Sequence, residues 1–79
     1  MVDETAHLAQ ADRHIAAAEL RITEQEQRVA AAEAAGEDTT ESKRLLENFR
    51  ETLEQLYIHR RMIIEEMHDN PSPDHKNAG

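Results

Sequence analysis

Gly36 is the only glycine or proline between Met1 and Asn70. A chain leaves the right-handed helical region at glycine without a Cβ penalty, so a helix arriving from the N-terminal side stops there. Neither flank holds another residue that breaks a helix. Asp38 is placed to cap a second helix, and Glu41, three residues later, is placed to complete a capping box. The reading is therefore a helix over 3–35, a turn over 36–38 and a helix over 39–69. Asp3 caps the first helix, with Glu4 in the first turn of its dipole. Asn70-Pro71-Ser72-Pro73 ends the second, and 70–79 reads as a disordered polar tail. A link this short makes the two helices antiparallel neighbours, an all-α hairpin with coiled-coil-like packing.

Periodicity says which faces meet. Leu8, Ile15, Ile22 and Val29 recur every seven residues, with Ala11, Ala18, Gln25 and Ala32 between them. Large aliphatics alternating with alanine make a narrow seam that a second helix can approach closely. The opposite assignment would bury Asp12, Glu19, Glu26 and Glu33, which desolvation forbids. Those four acids instead form one flank of the seam, and His7, His14, Arg21 and Arg28 form the other. Folding about residues 36–38 sets Val29 against Leu46, Ile22 against Leu53 and Leu8 against Met67. It also sets Glu33 against Lys43 and Glu26 against Arg50, a charge match that played no part in choosing the fold. Arg60 interrupts the seam of the second helix. Its stem is expected to pack while its guanidinium reaches water, with pairing to Asp12 or Glu19 as the alternative.

The second helix is too apolar for the first. Leu45, Phe49, Leu56, Tyr57, Met62 and Ile63 are expected to form an exposed patch beside an alanine-rich partner. A domain of 79 residues without a cysteine has neither disulfides nor a thiolate zinc site to make up for a thin core. Two-fold homodimerisation into a four-helix bundle is the economical solution, and a helix from another protein is the competitor. The patch is then the interface, and the chain is a non-enzymatic interaction or regulatory module.

Seventeen Asp and Glu against nine Lys and Arg give a net charge of −8, which repels phosphate backbones and anionic lipid. A nucleic-acid reading survives as an alternative if Arg13, Arg21, Arg28 and Arg61 share a dimer face. No apolar run reaches membrane-spanning length and the N-terminus lacks a signal-peptide core, so the expected compartment is the cytoplasm. Catalysis has no visible machinery: no cysteine nucleophile, no glycine-rich phosphate loop, and serines only at a helix start and in the tail. No cofactor is expected. Weak metal candidates are Glu4 with His7 and Glu65 with His68, at the Glu-x-x-His spacing of di-metal bundles, and the cross-helix pair His14 and His59. That imidazole pair could alternatively destabilise the fold on acidification.

The stretch Gly36-Glu37-Asp38-Thr39-Thr40-Glu41-Ser42-Lys43-Arg44-Leu45-Leu46-Glu47-Asn48-Phe49-Arg50-Glu51-Thr52-Leu53, with His7-Leu8-Ala9-Gln10-Ala11 and Arg13-His14-Ile15 before it, resembles a pattern in short uncharacterised bacterial proteins. The likeness covers most of residues 6–64, and that group implies no activity. In architecture the chain also resembles the plasmid-copy-number RNA-binding hairpin dimers, a likeness of fold alone.

Overall fold

A computed structural model of the chain describes residues 4–69. Two helices, α1 (Glu4–Ala34) and α2 (Thr40–Asp69), pack against each other as a hairpin. The expected Asp3 cap and the 70–79 tail lie outside the described residues.

The turn is built by backbone hydrogen bonds around Gly36. Its φ of +74° puts it in the left-handed region, where no other described residue sits. The Gly36 amide donates to the Glu33 carbonyl at 3.1 Å and the Glu37 amide to the Ala32 carbonyl at 2.9 Å. These are the two bonds of a Schellman closure, which satisfies carbonyls that the end of α1 would otherwise leave open. Asp38 braces the entry to α2. Its Oδ1 accepts from the Thr40 amide at 2.9 Å and from the Thr40 hydroxyl at 2.7 Å. The connection is 35–39 rather than 36–38. The first helical bond, Lys43 amide to Thr39 carbonyl, makes Thr39 the backbone cap and leaves Asp38 one residue outside the helix. The expected box with Glu41 is replaced: Glu41 pairs forward with Arg44 at 2.9 Å, one turn along its own helix.

The core is a thin line. Ala11, Ile15 and Val29 of α1 and Leu46 and Ile63 of α2 are its buried hydrophobics, and no described side chain is fully enclosed. Leu8, Ile22, Leu53 and Met67 are half-buried. Each helix can bury only the stripe that faces its single neighbour. Gln25 is the buried polar exception, 4% exposed, and its Nε2 donates to the Ser42 carbonyl of α2 at 3.0 Å.

Candidate protein-interaction face

The two flanks of the seam differ in kind. On one, the four acids of α1 each have a partner on α2. Lys43 Nζ lies 2.9 Å from Glu33 and Arg50 Nη2 lies 3.0 Å from Glu26. Tyr57 Oη donates to Glu19 Oε2 at 2.6 Å, and Arg60 Nε donates to Asp12 Oδ1 at 2.6 Å. The first two pairs are those expected from the fold. Arg60 departs from expectation, because its guanidinium is engaged by Asp12 rather than left to water. The Tyr57 bond to a carboxylate holds the phenol in its protonated form, so its pKa lies above the usual 10.0. Pairs this exposed add little stability and serve mainly to hold one alignment.

The other flank carries no such zipper. Among the described residues, Arg21 and Arg28 have no acidic partner. Between them and α2 runs a shallow trough in three joined stretches. The middle stretch, about 310 Å³, has Ala17 and Ala18 on its α1 side, Phe49 and Leu56 on its α2 side, and His14 and Arg21 along its rim. Toward the turn it continues between Arg21, Glu24 and Arg28 on one wall and Leu45 and Phe49 on the other. Toward the open end it passes His7 and His14 on α1 and His59 and Glu66 on α2. Its floor is apolar and its α1 rim is basic, which is the make-up of a docking surface for helices rather than of a substrate pocket.

The expected apolar patch is therefore split. Leu45, 41% exposed, and half-buried Phe49 and Leu56 line the trough. Met62, 55% exposed, shares their side of α2, since it stands three residues after His59 and four before Glu66. Tyr57 instead belongs to the acid-paired flank, where Glu19 holds its hydroxyl. Ile63 is 5% exposed and packs in the seam, so it shows the open-end stretch of the trough only a narrow edge.

Arg21 and Arg28 share the trough rim, but by helical register Arg13 and Arg61 project from the outer surfaces of their helices. The four arginines do not gather on one face of the hairpin. His14 and His59 do line one stretch of the trough, with His7 beside them. Glu65 and His68 are exposed on α2. Among the described residues, no three His, Asp or Glu side chains come close enough together to hold a metal ion.

Sequence reasoning passed over Gln25. It is the one polar residue at the alanine positions of the α1 seam, and that exception was the available signal. Burial at this position admits a polar side chain only with a partner, which the Ser42 carbonyl supplies.

No family model, no curated protein and no solved structure matches the chain.

Proposed function

We propose that the chain is a non-enzymatic protein-interaction module that works as a homodimeric four-helix bundle. The observation that carries this reading is the thin core: no described side chain is fully enclosed, while Leu45 and Met62 stand open beside half-buried Phe49 and Leu56. A hairpin of this size has few ways to become stable. It has no cysteine. A second layer of helices would cover the trough, convert half-buried side chains into buried ones and close the structure. Replacing both Phe49 and Leu56 with Asp tests the reading. The variant should lose its dimer mass and much of its helicity by circular dichroism; unchanged mass and helicity would refute it.

The reading extends to regulation only in this sense: a protein held by a shallow interface can exchange its second copy for a helix of another protein. Coiled-coil-like packing, a bacterial source and a cytoplasmic site remain part of the proposal. Among the described residues, no helix is long and apolar enough to cross a membrane.

A further inference from the structure

Charge is matched on one flank of the hairpin and left over on the other. Lys43, Arg50 and Arg60 each hold a carboxylate of α1. Across the seam, Arg21 shares the middle stretch of the trough with Thr52, and Arg28 shares the turn-side stretch with Leu45. Neither of those neighbours carries a charge. Two guanidinium groups thus stand beside an apolar floor with no anion, in a chain whose net charge is −8. Resting on the reading above that this trough is the interaction face, we infer the nature of the helix that exchanges for the second copy. It is an amphipathic helix of another protein, with acidic residues along one flank.

The trough dictates what such a helix must carry. Ala17 and Ala18 leave the α1 wall low, while Phe49 and Leu56 stand half-buried on the α2 wall. An apolar stripe at alternating three- and four-residue spacing fits between those walls. Arg21 and Arg28 are seven residues apart, about 10 Å along α1. A helix lying alongside repeats its own flank at that interval, so carboxylates seven residues apart reach both guanidinium groups in one alignment. Arginine suits the task, because its planar fork takes a carboxylate through two parallel N–H bonds and gives up water readily. From Arg28 to His7 the rim runs for about 32 Å, which sets the partner at about six turns.

A second copy answers this rim less well, wherever along the trough it lies. The acids lining the trough are Glu24 and Glu66. Glu24 stands one helical turn from both Arg21 and Arg28, yet among the described residues it forms an ion pair with neither. A copy laid face down therefore brings two more unmatched guanidinium groups with its Glu24. Its Glu66 lies at the open end, among His7 and His59. Trough on trough covers the apolar floor but leaves arginines in excess of carboxylates at the centre. An acidic helix covers the same floor and matches both arginines. A phosphate backbone would match the arginines alone and leave Phe49 and Leu56 bare.

The probe is a designed helical peptide of three heptads, about 21 residues, with Leu at its seam positions and Glu on both flanks. Its control has Gln in place of every Glu. Each carries a fluorophore and is held at nanomolar concentration while the full chain is added in excess. By anisotropy at low salt the Glu peptide should bind about tenfold more tightly than the Gln peptide. The preference should fade at high salt and vanish in the double variant Arg21→Gln with Arg28→Gln. Neither arginine has an ion pair within the hairpin, so that variant keeps its fold. Sedimentation should show one peptide per chain in place of the second copy. Equal affinity for the two peptides, or a preference that survives in the double variant, would overturn the acidic-helix assignment. So would displacement of the Glu peptide by an RNA oligonucleotide, which would give the rim to a phosphate backbone. A chain that sediments as a dimer and does not take the Glu peptide would overturn this inference and leave the homodimer standing. A monomeric chain that takes the peptide would overturn the homodimer and leave this inference standing.

Discussion

Two side chains report on the hairpin individually. Tyr57 is the only tyrosine and there is no tryptophan, so its ultraviolet titration is free of other aromatic signals of that kind. Glu19 accepts the phenol proton and opposes the phenolate, which raises the folded pKa above 10.0. The bond therefore contributes stability that is whole below pH 10 and is lost as pH rises through the higher folded value. We expect the titration midpoint of the folded chain to lie above 10 and to fall back in Glu19→Gln; an identical midpoint in both would show that the contact does not form. Asp38 has the opposite sign. Hydrogen bonds from the Thr40 amide and hydroxyl favour its carboxylate and lower its pKa below 3.8. Its contribution is present above that value and disappears as pH falls through the lower folded one. Asp38→Ala should thus lower the thermal midpoint at pH 7, and the gap from the unaltered chain should shrink at pH 2 to 3. An unchanged gap would exclude a stabilising role for the Asp38 hydrogen bonds to Thr40.

At the scale of the elements, the turn and the seam carry separate information. Gly36 has open space where a Cβ would go, so Gly36→Ala tests backbone conformation alone. Placing alanine at a φ of +74° should cost about 1 kcal/mol in urea unfolding, without loss of the hairpin. A neutral result would mean that the left-handed closure contributes nothing. Gln25→Ala removes a buried donor and leaves a space beside the Ser42 carbonyl, and should cost about 1–3 kcal/mol by the same measurement. These elements also mark the limit of what a sequence exposes. The lone glycine, the sevenfold spacing of Leu8 through Val29 and the sorted acids were legible because each is a one-dimensional pattern. The Schellman bonds and the Thr39 start were not, since a shift of one residue at a helix end leaves composition unchanged. The Arg60 contact is hidden from the sequence for a related reason. Whether its guanidinium reaches Asp12 or water depends on side-chain lean between two particular turns, not on seam spacing.

For the whole molecule, the consequence is an asymmetry between two sides of a slender rod. One side spends all four acids of its flank on contacts within the chain, and the other leaves arginines and apolar side chains in an open trough. The candidate face was only half legible in the sequence. Leu45, Phe49, Leu56 and Met62 can be read from composition and spacing. That Tyr57 belongs to the acid-paired flank and Ile63 to the seam depends on how the two helices pack. A surface of this kind seeks a second layer, and the free energy of the fold is then tied to chain concentration. Helicity and thermal midpoint should both rise with concentration across the micromolar range, and a midpoint constant over a hundredfold dilution would speak against assembly.

The most direct test is sedimentation equilibrium of the unaltered chain at micromolar concentration and neutral pH. Homodimerisation predicts twice the 9.0 kDa mass of one chain, with dissociation on dilution accompanied by loss of helical signal. A fully helical species at the mass of one chain would contradict it.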